Sequence, residues 1–199
     1  RDVIDECGKF LLSEKITYFR HPDISPQRTI ANVLWGDVIL YELTGDAAYR
    51  RAADKWANIF YAGQKYDGAW AENYNPAAGR WDGNPHLSFT EHYTLPALIA
   101  YHQMTGNKAI AACITKGVDF IMKNEEYGAY FEASSYSYWL TADKKYLNNI
   151  KRRLDFTTNH QNKSGDKMMD GMIYQKAYYE RVEEYLYKMP FAFEVLANE

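Results

Sequence analysis

The sequence predicts an all-α protein built from repeated helical hairpins, and three observations carry that prediction. The first is a recurring turn phrase: Leu43-Thr44-Gly45-Asp46, Met104-Thr105-Gly106-Asn107 and Leu140-Thr141-Ala142-Asp143. Gly accepts the left-handed conformation that ends one helix, and Asp or Asn supplies the oxygen that caps the next. Ala142 is the weakest of the three by this criterion. The second is an alternation about those turns, with a segment apolar on all sides before each one and an amphipathic segment after it. The third is the placement of the long connections, 20–28, 61–87, 124–132 and 159–171. If the short turns share one rim of the repeat, the long connections share the other, and loops on a rigid scaffold are where binding and catalytic groups concentrate.

The elements follow in order. Residues 2–19 form an outer helix, and 29–43 an inner one that includes Val33, Leu34 and Trp35. In the outer helix over 46–62, Tyr49, Ala52, Ala53, Trp56, Ile59 and Phe60 fall on one face and Arg50, Arg51, Asp54 and Lys55 on the other. An inner helix over 88–104 is followed by an outer one over 107–123, whose stripe is Ile110, Cys113, Ile114, Gly117, Val118 and Ile121. The third pair is 133–141 and 143–158, the latter with Tyr146, Leu147, Ile150 and Leu154 inward. A last inner helix covers 174–197 and is broken or kinked at Pro190. Trp35, Trp56 and Leu98 are assigned to the core. A single hairpin cannot bury its apolar face, so neighbours stack in a curved solenoid or a closed ring.

The chain is read as one hairpin-repeat domain over 1–199, about four hairpins long and part of a larger protein. A hydrophobic fraction of 47% supplies a core. A formal net charge of −3 leaves no basic field for a polyanion, so nucleic acid is not an expected partner. No apolar run has the length of a membrane span, and no signal peptide is recognisable at the N-terminus. Cys7 and Cys113 have neither the spacing of a metal knuckle nor the density of a disulfide scaffold. No phosphate loop, nucleophile elbow or zinc motif appears, and no cofactor or metal is expected. The 18 Tyr, 9 Phe and 5 Trp serve core packing, and a sugar-binding cleft draws on the same residue types.

With Trp35-Gly36-Asp37, the phrase Leu40-Tyr41-Glu42-Leu43-Thr44-Gly45-Asp46 followed by Tyr49, and its echo at Tyr101–Asn107, the sequence resembles the six-hairpin α/α toroid enzymes of carbohydrate metabolism. That group contains polysaccharide lyases, unsaturated glucuronyl hydrolases and sugar epimerases. The resemblance implies an α/α toroid or a part of one, a carbohydrate substrate, and a periplasmic or secreted setting. Gln64-Lys65-Tyr66-Asp67-Gly68-Ala69-Trp70 also looks like the Gln and Gly-x-Trp signature of triterpene cyclase toroids. It occurs once, without the cyclases' acidic catalytic run, and is read as a shared loop solution. Phe131 takes the corresponding place in the next repeat.

The richest stretch for chemistry is the connection holding Glu72, Trp81, Asp82, Asn84 and His86, which leads into Glu91, His92 and Tyr93. Elimination next to a uronate carboxylate needs a Tyr or His to move a proton and a donor to stabilise the enolate. Asn84, His86, His92 and Tyr93 supply those types and are the catalytic candidates. Glycoside hydrolysis needs two carboxylates instead, for which Glu72, Asp82, Glu91 and Glu132 are available. Trp70, Glu72, Trp81, Asp82, Tyr130, Glu132 and Trp139 are the candidates for holding substrate. The bland readings are hydrogen-bonded structural histidines, solvated carboxylates and core aromatics. Asp37 stands apart, on a mostly apolar inner helix where an unpaired charge is costly. The expected function is a uronate polysaccharide lyase, with a glycoside hydrolase or a non-catalytic toroid binding glycan or protein as the alternatives.

Overall fold

The computed structural model describes residues 2–13, 26–87, 90–124, 131–159, 165, 190 and 192–198. The described residues are mostly helical, with one two-stranded sheet. The chain divides into two compact units, 1–121 and 122–199.

The first unit contains α1 (Asp2–Leu12), α2 (Pro26–Thr44), α3 (Ala47–Gly63), β1 (Ala71–Asn75), β2 (Arg80–Pro85), a π-helical turn (Thr90–Thr94), α4 (Leu95–Thr105) and nearly all of α5 (Lys108–Asn124). The α2–α3 and α4–α5 pairs follow the expected hairpin order, and α2, α3 and α5 have bounds within three residues of those read from sequence, but α4 starts at Leu95 instead of 88, because Thr90–Thr94 take the π conformation. The outer helix expected over 2–19 is described only as far as Leu12, and 14–25 lie outside the described residues. Helix α2 is the centre of the unit and packs against α1, α3, α4, the π turn and β1.

The apolar stripes are buried as the periodicity requires. Ile30, Val33, Leu34 and Val38 of α2 meet Tyr49, Ala53, Trp56 and Phe60 of α3 in the core, joined by Leu95, Leu98, Ile110, Ile114, Val118 and Ile121. Of the three residues assigned to the core, Trp56 is 2% and Leu98 0% exposed, whereas Trp35 is only half-buried. At the wet edge of the α3–α4 packing, Asp54 accepts from Arg50 Nε at 3.0 Å and from the Tyr101 hydroxyl at 2.6 Å. Burial and the Asp54 carboxylate together push the Tyr101 phenol up to about 12.

The three turns repeat at the level of single hydrogen bonds. Thr44 Oγ1 donates to the Leu40 carbonyl at 2.6 Å and accepts from Asp46 N at 3.2 Å, while Asp46 Oδ1 accepts from Ala48 N at 2.8 Å. Thr105 and Asn107 make the same three bonds at 2.9, 3.2 and 2.9 Å, and Thr141 and Asp143 at 2.7, 3.2 and 2.9 Å. The residue between them is left-handed each time: Gly45 at φ 70°, Gly106 at φ 64° and Ala142 at φ 54°.

The long connection after α3 contains structure that the sequence reading leaves as loop. Gln64 opens it, its Nε2 donating to the Gly68 carbonyl at 3.1 Å and to the Cys113 carbonyl of α5 at 2.8 Å. Strands β1 and β2 then form an antiparallel hairpin, Tyr74 opposite Trp81 and Asn75 opposite Arg80. At its tip Asn75 Oδ1 accepts from Ala77 N and Ala78 N at 3.1 and 3.2 Å, which turns the chain. The strands carry no alternation of β-branched residues. They are held by the Tyr74–Trp81 pair, with ring centroids 5.1 Å apart, and by Trp81 lying 5.3 Å from Phe60.

The second unit contains α6 (Phe131–Thr141) and α7 (Lys144–Asn159), which pack together as a third hairpin. Its core is Phe131, Ile150 and Ala192, flanked by Leu154, Val195 and Leu196. Buried polar residues are unusually frequent in α6, where Ser134, Ser135 and Ser137 are buried and Ser134 Oγ accepts from Asn149 Nδ2 at 2.7 Å. Of the inner helix expected over 174–197, only Pro190 and 192–197 are described, and they are helical.

Candidate functional site

The site is built where the N-terminal end of α2 meets the chain entering α4. Pro26 occupies the first position of α2, where its missing N–H costs nothing and its fixed φ suits the helix. Gln27 and Arg28 therefore sit in the first turn, facing the long-connection rim. Across from them, Thr90–Thr94 form the π turn. Pro96 gives a physical reason for the widening: it has no N–H to offer the His92 carbonyl four residues earlier, and its ring crowds that carbonyl. Such π segments are uncommon and concentrate at functional sites.

Two contacts tie the halves together. Gln27, fully buried, donates from Nε2 to Thr90 Oγ1 at 3.1 Å and to Thr94 Oγ1 at 3.0 Å. The Arg28 guanidinium lies 4.5 Å from the centre of the Tyr93 ring. Between those anchors His92 and Tyr93 are both half-buried, with ring centroids 6.4 Å apart in an edge-on arrangement. His86 joins through its backbone, its carbonyl accepting from Thr90 N at 3.0 Å, and its side chain is half-buried.

The β-hairpin brings in a second group. The register slips between Ala71 and Asn73, so that Gly83 and Asn84 of β2 stand against Glu72 of β1. Gly83, at φ 88°, makes this bulge possible, because a side-chain-bearing residue is strained there. The slip sets Glu72, half-buried, opposite Asn84, exposed, and leaves Asp82 exposed on the strand. Trp81 is half-buried, and its indole N–H donates to the Ile59 carbonyl at 3.1 Å. One edge of that ring is thus committed to holding the hairpin on α3.

Trp70 does not line this site. It is 0% exposed, its indole N–H donates to the Phe60 carbonyl at 2.8 Å, and its ring abuts Gly117 of α5, so it cannot touch a ligand. Its place among the substrate-holding residues is corrected accordingly: it is the plug between α3 and α5. In the second unit, Glu132 is half-buried near the start of α6 and Trp139 is 71% exposed near its end. Seven residues separate them, about 10 Å along the helix, so they occupy opposite rims of their hairpin. Trp139 stacks at a tilt on Tyr136, centroids 5.4 Å apart. Tyr130 lies outside the described residues, and of Glu91 only the backbone is described.

Asp37 is 0% exposed, and neither carboxylate oxygen has a hydrogen-bond partner. Desolvation pushes its pKa up to about 7, and the neighbouring Trp56 indole opposes the shift without closing a hydrogen bond. Ten residues along α2 from Gln27, it sits about 15 Å from the rim. Burial also pushes the free Cys113 thiol up to about 12 and lowers His102, which marks both as core groups.

Gln27 and Arg28 fall outside the inner helix that the sequence pattern starts at 29. Pro26 at the first helical position was the signal that could have found them. Among the described residues no three His, Cys, Asp or Glu assemble into a group able to hold a metal ion, and no helix is long and apolar enough to cross a membrane. No protein-family model matches the sequence, and no curated protein matches it.

Proposed function

We propose that this chain is part of an α/α toroid that handles carbohydrate, and that the rim of its first unit cleaves a uronate polysaccharide by β-elimination. The observation that carries the reading is the convergence of a cation, a phenol and an imidazole: Arg28 4.5 Å from the Tyr93 ring centre, and Tyr93 edge-on to His92. Each group has a task in that reaction. Arg28 pairs with the uronate carboxylate and so acidifies the adjacent C–H. His92 or Tyr93 takes that proton, the C–H electron pair becomes the new carbon–carbon double bond, and the glycosidic C–O bond breaks. The departing oxygen receives a proton from the other member of the pair or from His86. Asn84 donates to the carboxylate as it takes on enolate character. Trp81 and the Glu72–Asp82 strands border the path of the sugar chain.

The test is a digest of a panel of uronic polysaccharides followed by ultraviolet absorbance of the unsaturated product. Absorbance that grows with enzyme supports elimination. New reducing ends without absorbance would replace the lyase with a hydrolase, and binding without either would leave a glycan-binding module.

A further inference from the structure

We propose that Gln27 is the positioning residue of this rim, holding the π turn in the register that presents His92 and Tyr93. The catalytic half of the proposal rests on the elimination reading above, while the structural half stands by itself. A π turn gives up the compact bonding of an α-helix and needs outside contacts to persist. Thr90 and Thr94 bound the turn, and one amide group reaches both, at 3.1 and 3.0 Å. Thr94 stands at the N-cap of α4, yet its side chain makes no capping hydrogen bond, so its hydroxyl is committed to Gln27 instead. All three side chains are 0% exposed, so water cannot substitute for a lost partner. Arg28, the next residue of α2, meets Tyr93 within the same turn. Fixing Gln27 therefore fixes the spacing of the cation and the phenol together.

The experiment uses the full chain in four forms: wild type, Gln27→Met, Thr94→Val and Thr94→Ser. Met keeps the length of Gln and removes both bonds, Val removes one, and Ser keeps the hydroxyl. Two readouts are taken, the ring resonances of His92 and Tyr93 by NMR across pH, and turnover on the uronic polysaccharide found active. The expected order is graded: Thr94→Ser close to wild type, Thr94→Val about tenfold lower in kcat and Gln27→Met about a hundredfold lower, with KM changed less than kcat. The His92 and Tyr93 resonances and the His92 titration midpoint should shift in the same order. Resonances unchanged in both Thr94→Val and Gln27→Met would overturn the proposal. If Gln27→Met does not fold, the Thr94→Val and Thr94→Ser pair decides by the same criteria. If no polysaccharide is cleaved but the resonances shift in the expected order, the elimination reading falls while the placement of the turn by Gln27 stands.

Discussion

The guanidinium of Arg28 lies 4.5 Å from the centre of the Tyr93 ring, joining the first turn of one inner helix to the π turn that leads into the next. A contact of this kind is worth about 0.5–1 kcal/mol where water reaches it. Its chemical value is larger if Arg28 holds a uronate carboxylate. Arg28→Ala should therefore lower kcat/KM by about a hundredfold or more, chiefly through KM, and by more than any fall in the folded fraction accounts for. Kinetics and urea denaturation on the same preparation check both halves.

His92→Ala separates catalysis from folding. A proton-transfer role predicts turnover lower by about two to four powers of ten with stability nearly intact. A purely structural imidazole predicts a stability loss of about 1–3 kcal/mol, with activity falling only in proportion to the folded fraction.

Ala142 stands at φ 54° where the two sister turns have Gly. The left-handed conformation costs a Cβ-bearing residue about 1–2 kcal/mol. Ala142→Gly should therefore stabilise the second unit by about 1 kcal/mol, and Gly45→Ala, made in the matching turn of the first unit, should destabilise by a similar amount. A thermal melt of each variant is sufficient, and equal signs would contradict the equivalence of the turns.

Asp37 gives a pH dependence with a definite sign. Its folded pKa of about 7 stands above the ordinary value of 3.8, so the folded state holds the proton more tightly than the unfolded one. The associated stability is fully present below about pH 4 and is lost as the pH rises through 7. The loss is on the order of 4 kcal/mol by the usual conversion of 1.36 kcal/mol per pKa unit. Asp37→Asn should be more stable than wild type at pH 8, and the advantage should shrink toward pH 5. Denaturation of both proteins at the two pH values measures it.

Gly117 tests the plug made by Trp70. A Cβ at that position would lie 2.8 Å from the Trp70 ring and 3.0 Å from Leu95, both fully buried. Gly117→Ala should cost about 1–3 kcal/mol through overpacking. An unchanged denaturation midpoint would mean that α5 can move away from the indole freely.

By itself the sequence determined the hairpins and their turns, because both are local. An apolar stripe at helical spacing dictates which face of α3 or α5 is buried, and a Thr and an Asp or Asn on either side of a left-handed residue dictate three hydrogen bonds within a few positions. Tertiary structure decided the rest. The β-hairpin depends on Trp81 finding Phe60 and the Ile59 carbonyl, neither of which a strand pattern encodes. Trp70 proved to be core because Gly117, 47 positions away in sequence, leaves room for its ring. The partners of the π turn, Gln27 and Arg28, are brought to it by the packing of α2 against the chain entering α4, a contact between residues more than sixty positions apart. Hydrogen bonds of that range depend on how helices stack, and stacking is set by the whole buried surface and not by any one segment of the chain.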